Sequence, residues 1–135
     1  MSISSQDALV YLMVVTAAAD RDITSIELDR IGSLTDRLPI FVNYDRDMLA
    51  QAASNCVDLM GQVDDLNKIL DIALAVLPAR LHDTAYALAV EIAAVDLELL
   101  QEELRWLEMM RDRLNLDRLT TAAIEVSARA RLRKA

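Results

Sequence analysis

Asp20, Asp22 and Glu27 sit within the stretch "AAADRDITSIELDRI" (17–31), at the join between two apolar segments. Asp96, Glu98 and Glu103 repeat the same spacing 76 residues later, in "AAVDLELLQEELRWL" (93–107). A hard divalent cation such as calcium takes six to eight oxygens, from carboxylates and backbone carbonyls. The end of a helix leaves carbonyls unpaired and carries partial negative charge. Two aspartates beside such an end, with a glutamate reaching back from the next helix, therefore have the makings of a calcium ligand set. The competing reading is structural. Thr24 stands three residues before Glu27, the spacing of a capping box, and carboxylates near a helix N-terminus are favoured by its dipole. In the second copy Leu100 occupies the position of Thr24, so Glu103 has no such threonine to serve. Both readings stand at this point.

Other metals and motifs fit poorly. Taking Asp20 as the first position of an EF-hand loop puts Ser25 where glycine belongs and Ile31 where a bidentate glutamate belongs. One cysteine, Cys56, and one histidine, His82, do not supply a zinc tetrad. Cys56 has no histidine or lysine close in sequence and reads as a small buried hydrophobe. A single cysteine also excludes an internal disulfide framework, which fits a reducing, cytoplasmic compartment. His82 neighbours Asp83, but adjacent helical residues do not face one another. No glycine-rich phosphate loop and no nucleophile–base pair is evident, so the sequence reads as non-enzymatic.

The elements that hold these residues are helical. The chain has 135 residues, 54% hydrophobic, with only two glycines and two prolines. That is too few turn formers for a sandwich or barrel, and enough length for one domain with a real core. Ser4 or Ser5 caps a first helix to about Ala19, and Thr24 caps a second that Pro39 ends. A third runs from "NYDRD" (43–47) to about Met60, closed by Gly61, and a fourth starts at Asp64 or Asp65. Pro78 opens a fifth extending to about Val95; a sixth covers roughly Leu100 to Leu114; Asp117 caps a seventh. The expected fold is all-α, a single compact bundle of about seven helices over 1–135. The expected core includes Leu12, Leu28, Ile31, Leu34, Leu88, Leu104 and Leu107, with Trp106 bordering it.

Shifting the chain by 76 residues aligns 12–38 with 88–114 and leaves ten of 27 positions identical, among them Asp20, Glu27, Asp36 and Arg37. Alanine and leucine matches arise easily in helical proteins; those four do not. The pattern reads as two pseudo-repeated helix–loop–helix halves, each with an acidic joint, related by an approximate twofold axis.

Charge narrows the partners. The formal net charge is −8, and four of the 14 basic residues, Arg129, Arg131, Arg133 and Lys134, fall in the last seven. An acidic body with few aromatics repels phosphates and offers no stacking platform, which excludes nucleic acid. Cations or basic protein partners remain. The run "ALVYLMVVTAAA" (8–19) follows Asp7 with no basic residue before it, and is too short to span a bilayer, so it reads as a core helix with no direct membrane insertion. At 100° per residue the basic tail spreads around its helix, as expected of a solvated helix end contributing little stability.

An apolar helix ending in "AAAD", an acid two positions on, and E-L opening a leucine-rich helix, all repeated in "ALAVEIAAVDLELLQEELRWLEMMRDRLNLD" (87–117), resembles the TerB-like tellurite-resistance family. The likeness covers most of the chain, on short and degenerate motifs. It implies a compact all-helical domain without catalysis, acting in tellurite or stress response with protein partners, some membrane-associated. It also implies divalent-metal binding by Asp20, Asp22, Glu27, Asp96, Glu98 and Glu103. The family commonly carries Asp-Gly at the joint, whereas this chain has Asp20-Arg21 and Asp96-Leu97. That loses easy access to left-handed backbone angles and offers Arg21 as an internal counter-ion. A metal-free helical interaction or homodimerisation module is the alternative.

Overall fold

The computed structural model describes residues 3–18, 23–94 and 101–135, with the side chains of 101–103 excepted. Seven α-helices follow one another: α1 Ser5–Ala17, α2 Ser25–Arg37, α3 Arg46–Gln62, α4 Asn67–Leu74, α5 His82–Ala94, α6 Gln101–Leu114 and α7 Arg118–Arg131. Short 3-10 turns, Pro39–Phe41 and Ala79–Leu81, precede α3 and α5. Among the described residues there is no strand, so the fold is all-α.

The centre of the bundle is α1. Every residue from Ala8 to Ala17 is buried, as expected of a helix that is apolar all round rather than along one stripe. It packs most closely on α3 and α5, with α4, α2 and α6 closing the remaining sides. The second apolar helix, α5, buries Ala85, Tyr86, Leu88, Ala89, Val90, Ile92 and Ala93, and carries α6 and α7 on its other flanks. Thus α1 and α5 form a central pair, each followed in sequence by an amphipathic helix.

The caps of α1, α2, α3 and α7 are those the sequence encodes, whereas α4 begins at Asn67 without a side-chain cap rather than at Asp64 or Asp65, and α5 begins at His82, a 3-10 turn after Pro78. Ser4 and Asp7 form a reciprocal capping box on α1, and Thr24 and Glu27 form one on α2. Side-chain caps of the Ser4 and Thr24 kind are worth about 0.5–2 kcal/mol each. Asp45 caps α3 through the Met48 N–H, and Asp117 caps α7 through the Thr120 N–H. Asp7 also accepts from the Tyr44 hydroxyl at 2.8 Å, which ties the start of α1 to the loop before α3.

Three further expectations are revised. Leu104, expected in the core, is 39% exposed, because it faces a cavity rather than the packed interior. Trp106, expected at the core border, is 1% exposed and wholly inside. Gly61 does not close α3; the helix runs through it to Gln62 and Val63 follows as the cap. Leu12, Ile31, Leu34, Leu88 and Leu107 are buried as expected, and Leu28 is partly buried against them. No described helix is long and apolar enough to cross a membrane.

Candidate functional site

Two regions are candidates: the acidic joints, and a cavity that α5 forms with α6 and α7.

Of the six acidic residues singled out by spacing, Asp20, Asp22, Asp96 and Glu98 lie outside the described residues, as does the side chain of Glu103. Glu27 is described. Its Oε1 accepts from the Thr24 backbone N–H at 3.0 Å and from the Thr24 hydroxyl at 3.0 Å, while the Glu27 N–H donates to Thr24 Oγ1 at 3.2 Å. The capping-box reading of this residue therefore holds. A carboxylate has about four lone-pair sites, so the cap does not by itself exclude a second partner. Among the described residues, no three carboxylate, histidine or cysteine side chains converge as a metal-binding group.

The flanks of the two joints meet. The indole Nε1–H of Trp106, in the second turn of α6, donates to Thr16 Oγ1 in the last turn of α1, at 2.8 Å and fully buried. The Thr16 hydroxyl in turn donates to the Leu12 carbonyl at 2.7 Å. Donor and acceptor capacity are both used, which is what a buried hydroxyl requires. Thr16 lies four residues before Asp20, and Trp106 three residues after Glu103.

The remaining chemically capable residues have structural roles. Cys56 is buried at 0% exposure, and burial pushes its thiol up to about 12, so it stays protonated and unreactive at neutral pH. The His82 ring nitrogens sit 3.3 Å from the Leu114 and Leu77 carbonyls, joining the start of α5 to the end of α6. Of the two "DRL" strings, the first uses its acid and the second its base. Asp36 accepts two hydrogen bonds from Arg46, which hold its carboxyl below the usual range, whereas Arg113 pairs with Asp71 and Asn67.

Neither a family model, nor a curated protein, nor a solved structure matches this chain.

The second region was not singled out by spacing. α6 and α7 both pack on α5 but far less on each other. The gap they leave is a cavity of about 390 Å³. Its walls are apolar: Val90, Ala93 and Ala94 from α5, Leu104 and Leu107 from α6, and Leu132 just past α7. Tyr86 donates to Glu125 Oε2 at 2.5 Å, and Arg111 reaches the same oxygen at 3.5 Å. Burial and the adjacent Glu125 carboxylate raise the Tyr86 phenol above its ordinary value. Arg129, Arg133 and Lys134 also line the cavity. The tail thus has more structure than a solvated helix end: Arg131 pairs with Glu91 at 2.7 Å and holds the end of α7 against α5.

Proposed function

We propose that this chain is a non-enzymatic, TerB-like helical domain that binds a divalent cation, calcium before magnesium, at its acidic joints and acts through protein partners. The observation that supports the reading is the Trp106–Thr16 hydrogen bond. It brings the last turn of α1 and the early turns of α6 side by side, and these are the helix ends that flank the two acid-bearing stretches in sequence. Carboxylates gathered at one end repel one another when no cation is present, and a cation relieves that repulsion. Asp20, Asp22 and Glu27 form the better site in this reading, since Thr24 and Ser25 offer extra oxygens. Asp96, Glu98 and Glu103 lie among leucines, which offer none.

Selective binding to the folded state raises the melting temperature. Calcium therefore stabilises the wild type, magnesium less because of its stricter octahedral demand, and Asp20→Asn/Asp22→Asn abolishes the effect while leaving helical content intact.

One observation favours the metal-free interaction module instead. The Glu27 carboxylate is engaged by Thr24 as a helix cap, a role complete without an ion. In that case calcium leaves the melting curve unchanged and the joints serve only to separate helices.

A further inference from the structure

The cavity between α5, α6 and α7 is elongated. Tyr86, Val90 and Ala94 line it at intervals of four along α5, a run of about 12 Å at 1.5 Å per residue. Two alanines, Ala93 and Ala94, keep the floor low. Its volume of about 390 Å³ lies within the range of small-molecule pockets, about 300–1,000 Å³.

The charges on it are unevenly matched. At the Tyr86 end, Glu125 and Arg111 face each other, so that end is self-compensated. Arg129, Arg133 and Lys134 form no ion pair with a described carboxylate, and the other described acid on the lining is Glu108. Among the described lining residues outside the Arg111–Glu125 pair, three cations stand against one acid, the reverse of the chain's net charge of −8. Such a slot selects a ligand with an apolar body and an anionic head.

We propose that this cavity binds a single-chain amphipathic anion, a fatty carboxylate, with its chain along Val90, Ala94, Leu104 and Leu107 and its head group at Arg129, Arg133 and Lys134. The Arg131–Glu91 pair fixes the end of α7, so the three cations stand at the mouth before the ligand arrives. The inference uses only α5–α7 and the tail, and stands independently of cation binding at the joints.

Calorimetric titration of the full chain with sodium dodecanoate, below its micelle concentration, tests this. One equivalent binds, dodecyltrimethylammonium binds at least about tenfold more weakly, and Arg129→Gln/Arg133→Gln/Lys134→Gln weakens dodecanoate by at least about tenfold, roughly the loss of one good charge contact. Ala94→Phe fills the slot and blocks binding; Leu104→Gln, at an exposed position that tolerates it, weakens binding should Ala94→Phe fail to fold. Absence of dodecanoate binding, equal affinity for the cationic amphiphile, or indifference to the rim and wall variants each overturns the proposal. Vesicles containing phosphatidylglycerol separate the two sources of such a ligand. Sedimentation with vesicles that Leu104→Gln leaves unchanged, without binding of dissolved dodecanoate, assigns the basic rim to a membrane surface and overturns the pocket.

Discussion

Trp106 and Thr16, 90 residues apart, share a buried 2.8 Å hydrogen bond between indole Nε1–H and hydroxyl Oγ1. It joins the central helix α1 to α6 by a buried polar contact. Thr16→Val keeps the shape but leaves the indole N–H buried without an acceptor, which costs about 1–3 kcal/mol. Trp106→Phe removes the donor and also opens space. In urea unfolding the double variant costs less than the sum of the two single ones, the coupling expected of direct partners. Strict additivity would mean that the bond carries no stability.

Gly32 faces Arg46, and a Cβ added there would collide with the guanidinium. That group is the far end of an exposed, flexible side chain, so it moves aside at small cost. Gly32 sits inside α2, where alanine is better by about 0.5–1 kcal/mol. Gly32→Ala is therefore neutral to stabilising in thermal melts, while the Asp36 carboxyl, read by NMR titration, returns toward its ordinary value as Arg46 is displaced. A strongly destabilised variant would contradict this.

Asp36 and Asp117 both have depressed carboxyl values, Asp36 from the Arg46 hydrogen bonds and Asp117 from the Thr120 N–H. A depressed folded value stabilises the fold above the ordinary carboxylate value of 3.8. That contribution is lost as pH falls through the depressed value. The melting temperature of Asp117→Asn should thus lie below that of the wild type at neutral pH, and the two should converge in acid. A gap that persists undiminished at low pH would show that the cap acts without its charge.

Cys56 should resist a thiol reagent at pH 8 in the folded protein and react at the rate of unfolding, since its side chain is buried and its thiol value is raised to about 12. Labelling as fast as a free thiol would show that the core around α3 opens locally.

The all-α fold was legible because it rests on local chemistry: Ser4, Thr24, Asp45 and Asp117 all cap the helices their positions suggest. Where a residue's role depends on docking, the sequence was silent. Trp106 stands four residues before Met110 and eight before Leu114, both buried, so the spacing marks its face as inward, but its partner is 90 residues away and nothing local marks the pair. Leu104 continues the leucine pattern yet is 39% exposed and lines the cavity rather than the core. The tail offered a usable signal. Arg129, on the last turn of α7, and Arg133, just past its end, both line the cavity, while Arg131 pairs with Glu91. Treating that tail as a uniform charge cloud hides the cavity rim. The acidic joints were the loudest signal in the sequence, and Glu27 shows why the spacing has two readings: the residue that caps α2 with Thr24 is also one of the three acids of the first candidate cation site.

A calcium titration followed by ¹H–¹⁵N NMR tests the central claim, a cation held at the joints, most directly. The Trp106 indole N–H and the Thr24–Glu27 amides report from the two flanks of the joints. A cation at the Asp20, Asp22 and Glu27 site shifts the Thr24–Glu27 amides and, through Thr16, the Trp106 indole N–H with one dissociation constant, and Asp20→Asn/Asp22→Asn removes the response at both. No shift at millimolar calcium, or small shifts scattered over exposed carboxylates such as Asp64 and Asp83, would contradict it.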